Sequence, residues 1–164
     1  MKRFLKKFIK WVVELKEGLA LKGKLTITTF NLNTGEIKTV TEGNLVILAG
    51  RNLVRDLLAG DTVSGLTHMA LGTDTSDPSV TPTITEVFRK TLTSSTKADG
   101  KLTVDMYLAS GEANGNTLTS AALFGNGATD AAGSGSQYNK VIYAAIEKTS
   151  SLTVTYTWEL TFNA

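Results

Sequence analysis

Few residues in this chain are of a type and spacing that could do covalent chemistry. Among 164 residues there is one histidine, His68, and no cysteine. A nucleophilic triad needs a nucleophile, a base and a group that orients the base. His68 lies between Thr67 and Met69 in a short alternating stretch, which reads as a structural strand position. The lack of cysteine removes disulfide scaffolds, thiolate zinc sites, iron–sulfur clusters and thiol nucleophiles. Glu86, Asp105, Glu112 and Glu159 are scattered, with nothing to mark the carboxylate pair that glycoside cleavage requires. Asp74 and Asp77 sit in a loop over 72–83 but lack the repeated ligand spacing of a calcium loop. Gly125-Asn126-Gly127 is not followed by the helix and lysine of a phosphate loop. The expectation is a protein that is not an enzyme, with no catalytic residue, no metal site and no cofactor.

Charge points to attachment. The net charge of +2 is unevenly spread. Residues 1–24 carry eight basic and two acidic side chains, or +6, and the other 140 carry nine and thirteen, or −4. Within 1–21, Phe4, Phe8, Val12, Leu15 and Leu19 recur at steps of three and four, with Leu5 and Ile9 beside them. That spacing predicts a basic amphipathic helix. A helix alone in water is marginal, so its apolar face needs a partner. Docking to another protein, bundling with copies of itself and folding back onto its own domain are the main readings. Contact with a membrane surface is a lesser one. A secretory signal is a poor fit, because Lys10 interrupts the apolar stretch and Glu14, Lys16 and Glu17 follow it. Lysines attract phosphate, but the aromatic residues lie on the apolar face and are not interleaved for base stacking, so no nucleic-acid partner is expected.

The remaining residues, 22–164, read as one β domain. Lys24–Leu32 and Glu36–Thr41 flank an Asn33-Thr34-Gly35 turn and predict a hairpin. Leu53, Val54, Leu57 and Leu58 make a helical face that ends at Gly60, which predicts a short internal helix over 48–59 covering an open end or a face of the sheet. Leu66–Leu71, Val87–Ser95, Lys101–Leu108, Thr117–Phe124 and Lys140–Glu147 read as further strands, with Lys97-Ala98-Asp99-Gly100 as a hairpin turn carrying the Asp-Gly signal. In Ser151–Asn163, Leu152, Val154, Tyr156, Trp158, Leu160 and Phe162 alternate without error with polar residues. Such a strand has one buried and one wet face, and its length suits a central position. The 25 threonines suit half-exposed strands. Together these features predict a mainly β protein: an antiparallel β-sandwich, Greek-key or jelly-roll-like, with an N-terminal amphipathic helix and one short internal helix. The Gly/Ser/Ala-rich stretch 125–139 reads as a functional or mobile loop. Asn126, Asp130, Gln137 and Tyr138 are its candidate recognition residues, with the 72–83 loop as a second contact surface.

An ordered series of short motifs adds to this reading. Glu42-Gly43-Asn44-Leu45-Val46 precedes Gly50-Arg51-Asn52-Leu53-Val54-Arg55-Asp56-Leu57-Leu58-Ala59-Gly60. Then come Thr67-His68-Met69-Ala70-Leu71-Gly72-Thr73-Asp74-Thr75, Glu86-Val87-Phe88-Arg89-Lys90 and Gly111-Glu112-Ala113-Asn114-Gly115. Ala122-Leu123-Phe124-Gly125, Ile146-Glu147-Lys148-Thr149 and Trp158-Glu159-Leu160-Thr161-Phe162 complete the series. Over about residues 24–163 the chain resembles a group of small tailed-bacteriophage and prophage virion structural proteins, often called tail-fibre-like or minor structural proteins. Two departures are visible. Ala121 and Ala122 stand where an acidic residue commonly precedes the "GLF" segment, and the basic helix is not part of the shared pattern. The resemblance implies a non-enzymatic virion component, such as a fibre, whisker or decoration subunit. Its partners would be capsid, neck or tail proteins and further copies of itself. The alternative is a host-surface receptor-binding module that uses its loops.

Overall fold

The structure, a computed structural model, describes residues 20–163. Phe4, Leu5, Phe8, Ile9, Val12, Leu15 and Leu19 of the expected docking helix lie outside the described residues. The last two positions of that segment, Ala20 and Leu21, open the first strand instead. They are held there by pairing with Asn163 and Phe162 at the other end of the chain. The elements are β1 (Ala20–Asn31), β2 (Ile37–Val46), α1 (Leu48–Leu58), β3 (Leu66–Gly72), β4 (Glu86–Thr91) and β5 (Ser94–Ala98). They continue with β6 (Lys101–Leu108), β7 (Thr117–Gly125), β8 (Ser136–Gln137), β9 (Asn139–Glu147) and β10 (Leu152–Asn163).

The protein is mainly β and antiparallel. Its strands form one sheet in the order β4-β3-β7-β9-β2-β1-β10-β6-β5, with β8 added to β7. Where the alternation had suggested two separate stacked sheets, a single hydrogen-bonded path curls into a half-barrel. The reason lies in strands that change partners. β2 pairs with β1 over Ile37–Asn44, then with β9 through Leu45 and Val46. The expected strand Val87–Ser95 corners at Leu92, and its two halves lie at opposite ends of the sheet order. The Leu92 N–H donates to the Thr67 carbonyl, and the next N–H, of Thr93, donates to the Asp105 carbonyl. Leu92 packs against the core as the chain turns.

The curl brings two arms face to face over one core. Leu25, Ile27, Val104, Met106, Tyr156 and Trp158 come from the arm β2-β1-β10-β6-β5. Met69, Leu71, Leu118, Leu123, Val141 and Tyr143 come from the arm β9-β7-β3-β4. Tyr143 and Tyr156 meet across the arms with ring centroids 6.1 Å apart and hydroxyl oxygens at 3.3 Å. Burial pushes both phenols above their ordinary range. β10 is central, paired to β1 on one side and β6 on the other. It does not pair with the preceding β9, which belongs to the other arm.

α1 covers one end of the curl, close to the boundaries its periodicity predicts. Gly60 just beyond it has φ +85°, a conformation open to glycine without strain. Gly50 lets the helix approach the Tyr138 carbonyl, where a Cβ would come within 1.9 Å of the oxygen. Beside α1, Leu53, Val54, Leu57, Leu102, Leu160 and Phe162 line an apolar cavity of about 190 Å³. Trp158 is completely buried in the core, so Trp158→Ala should cost about 3–5 kcal/mol in chemical denaturation, without loss of β-sheet circular dichroism at 10 °C.

Candidate functional site

The functional surface expected from the sequence is a pair of loops, and the structure shows what holds them. The arm β9-β7-β3-β4 is buried on both faces around β7, where every residue from Leu118 to Gly125 is buried. Its outer face presents Ala70, Ala122 and Phe124, which Ile84 and Ala128 cover from the two loops. The small residues of 126–135 let the backbone lie flat on this face. At Gly135, with φ +70°, a Cβ would fall 2.4 Å from the Gly125 carbonyl oxygen. The Gly/Ser/Ala-rich stretch is therefore a third layer on the sheet.

Three cations withdrawn from water pin the loops. A buried ammonium or guanidinium is tolerated only when its donors are matched. Lys140, fully buried on β9, donates to the carbonyls of Thr81 and Thr83 at 2.9 Å each and lies 3.5 Å from Asp74 Oδ2. Arg89 on β4 stacks its guanidinium 3.8 Å above the Phe124 ring. It donates to Glu86 Oε2 at 2.8 Å and to the Ser134 carbonyl at 2.7 Å. The Gly133 N–H donates to the same Glu86 carboxylate. Lys148 donates to the Ser110 and Thr149 carbonyls and to Asn114 Oδ1, which closes the turn after β6 around its ammonium.

Two carboxylates near these cations, Asp74 and Glu112, are shifted. At Asp74 burial works to raise the pKa. The Thr85 N–H and hydroxyl, the Lys140 charge and the Ser120 hydroxyl outweigh it, leaving the group below its ordinary value. At Glu112 burial is likewise overcome, by Lys90, the Ala109 N–H and the more distant Lys148. Desolvation lowers Lys148 itself, with Glu112 acting in the opposite sense.

The four recognition residues expected from the sequence divide. Asn126 and Asp130 are exposed. Gln137 and Tyr138 face inward because both are needed to hold the fold. Gln137 donates to the Pro82 carbonyl at 2.7 Å and accepts from the Ile84 N–H at 3.1 Å, while Tyr138 belongs to the core beneath α1. The exposed candidate surface thus contracts to the tip 126–134 and the loop 73–83. His68 is buried on β3, with Nδ1 2.8 Å from Thr67 Oγ1 and Nε2 3.4 Å from Asp130 Oδ1. Hydroxyl, imidazole and carboxylate stand in series. However, the Asp130 side chain is 74% exposed, so this contact is a loop tether rather than the buried bond that orients a catalytic base. Among the described residues no group of three or more His, Asp and Glu could hold a metal ion, and no helix is long and apolar enough to cross a membrane.

The chain matches no family profile, no curated protein and no solved structure. The site therefore rests on its own geometry, which is a fixed display of polar loop tips on a rigid sheet.

Sequence reasoning did not single out Lys140, Arg89 or Lys148. Their partners lie on loops distant in sequence, up to 59 residues away for the Lys140–Thr81 bond. Lys140→Met would strand the Thr81 and Thr83 carbonyls and Asp74. It should cost about 3–5 kcal/mol in urea denaturation and expose 73–85 to proteolysis. Asp74 and Glu112 are held below their ordinary values of 3.8 and 4.5. Their stabilisation is therefore complete above those values and lost as pH falls through the lower folded ones. Stability measured by denaturant titration should fall as the pH is taken below about 4.5, with a shallower fall in Asp74→Asn.

Proposed function

We propose that the chain is a non-enzymatic structural component of a bacteriophage virion, a fibre, whisker or decoration subunit, anchored by residues 1–21. The observation that carries this reading is where the phage-like motifs fall. Most of them sit on framework elements, and the rest on loops and turns tied down by buried cations. Gly50–Gly60 is α1 with its terminating glycine. Glu86 and Arg89 are the ion pair beneath the 126–135 loop. Asn114 is one of the acceptors around the Lys148 ammonium, and Glu112 beside it binds Lys90. Trp158–Phe162 lies in the central strand. We also read the two facing arms as a Greek-key, jelly-roll-like sandwich whose seams have stayed hydrogen-bonded.

The anchoring role fits where the segment joins the domain. β1 starts at Ala20, opposite Asn163, at the end where Phe162, Leu160 and α1 line the apolar cavity. Leu57 and Leu58 on α1 are also exposed there. The partners in this reading are capsid, neck or tail proteins, with the virion as location.

A second reading, a host-surface receptor-binding module, draws on the pinned loops. Tips fixed by buried cations bind with little loss of conformational freedom. Asn126 and Asp130 are the residues it would use.

Removal of residues 1–19 leaves β1 whole and separates the readings. Particles purified from cells producing this chain should contain the full-length protein, while the truncated, folded protein should be absent from them. Equal incorporation of the truncated form would overturn the anchoring role. Absence of the full-length chain from particles, together with binding of host cells that Asp130→Ala reduces at least about tenfold, would favour the receptor-binding module.

A further inference from the structure

β2 is a sheet edge along most of its length. Ile37–Asn44 pairs with Phe30–Gly23 of β1, whereas β9 reaches β2 only at Leu45 and Val46. Past that seam β9 crosses to the inner side of the hairpin. There Ala145 and Ile146 line a cavity of about 200 Å³ with Thr29, Asn31 and Lys38. Among the described residues no strand pairs with the other edge of Ile37–Gly43. The edge is open to solvent, with Ile37 65% and Val40 40% exposed. A flat edge of this length presents a row of unpaired N–H and C=O groups.

The side chains along it are ordered about one residue. Lys38-Thr39-Val40-Thr41-Glu42 places opposite charges two positions either side of Val40. Lys38, Val40 and Glu42 share the inner face, opposite Thr29, Ile27 and Leu25 of β1. Charges on an edge repel an arbitrary strand. A second copy of the same strand, run antiparallel about Val40, is instead matched to them. Lys38 then faces the partner's Glu42, Thr39 faces the partner's Thr41, and the two Val40 side chains meet. Opposite charges, threonine pairs and β-branched pairs are favourable across strands, and like charges are not. Sliding the register by two residues either way sets Val40 against a charge, so the pattern selects one alignment. Lys38 is free to make the exchange. Its present partner is Glu36 at 3.1 Å, with the side chains 70% and 54% exposed, and exposed pairs of that kind are weak.

We propose that the protein forms a two-fold dimer by antiparallel pairing of β2 with β2 of a second copy, centred on Val40. The contact is isologous, as two-fold symmetry requires. It joins the two five-stranded arms β2-β1-β10-β6-β5 into one continuous sheet, and it depends neither on residues 1–19 nor on the particle.

The full chain tests it by sedimentation velocity. Wild type should dimerise. Lys38→Glu alone and Glu42→Lys alone should each raise the dissociation constant about tenfold or more, and the double variant Lys38→Glu/Glu42→Lys should restore it. Because the chain has no cysteine, Val40→Cys supplies a lone thiol. Under mild oxidation it should form a disulfide-linked dimer, whereas Thr96→Cys on the exposed edge of β5 should not. A monomer at every concentration would overturn the proposal. So would single reversals without effect, a double variant that stays dissociated, or cross-linking no faster at residue 40 than at residue 96. A dimer indifferent to the reversals but lost on removing residues 1–19 would assign association to the N-terminal segment instead.

Discussion

An ammonium group with no access to water must find all its partners inside the protein, and Lys140 sets that demand on β9, where the second arm meets β2. Its acceptors are carbonyls of Thr81 and Thr83 together with Asp74. The long connection between β3 and β4 is therefore tied down at several points. Gln137, three residues before the lysine, fastens the same connection at Pro82 and Ile84. Arg89 repeats the logic on β4, at the other end of the same arm, using backbone carbonyls of the glycine-rich segment. Breaking one of these sets would leave a charge or several carbonyls buried without partners, so each loop has one low-energy placement. Rigidity in a molecule whose longest connections are rich in Gly, Ser, Thr and Pro follows from that requirement.

The same arrangement separates the two arms in character. The arm β9-β7-β3-β4 carries the loops as an outer layer and is buried on both sides around β7. The arm β2-β1-β10-β6-β5 keeps a wet outer face of threonines, among which Thr26 with Thr41 and Thr28 with Thr39 lie within hydrogen-bonding distance across the strands. One arm is covered in part by its own loops, while in the other β2 leaves most of one edge unpaired.

The legibility of this structure in its sequence followed the range of the forces involved. β10 was readable because alternation reports a single buried face directly. α1 was readable because its leucines and Gly60 are local signals, and the Asp99-Gly100 turn because two residues set it. The corner at Leu92 was not visible, since Val87–Ser95 has the composition of one strand and only the two arms decide where it must bend. The stretch 125–139 read as a functional or mobile loop because glycine and serine have that default meaning. Here their smallness serves close approach to β7. Lys140 and Lys148 did not stand out, because lysines are mostly exposed. Their partners are carbonyls, which every residue possesses, so no residue type marks the site.

The central place of β10 has a consequence for how the chain is made. It is the last described strand to leave the ribosome, yet it lies between β1, among the first, and β6, from the middle. Until Leu152–Asn163 is released, the arm has a gap at its middle. The β1–β2 hairpin and the β5–β6 hairpin have nothing to join them, and the inner positions Leu25, Ile27, Val104 and Met106 lack the neighbours that bury them. Pairings this distant in sequence form slowly, and open strand edges invite misassociation while they wait. Newly made chains should therefore be prone to misassociation until Leu152–Asn163 is released, and loss of β10 should unzip the arm at its centre rather than fray its rim.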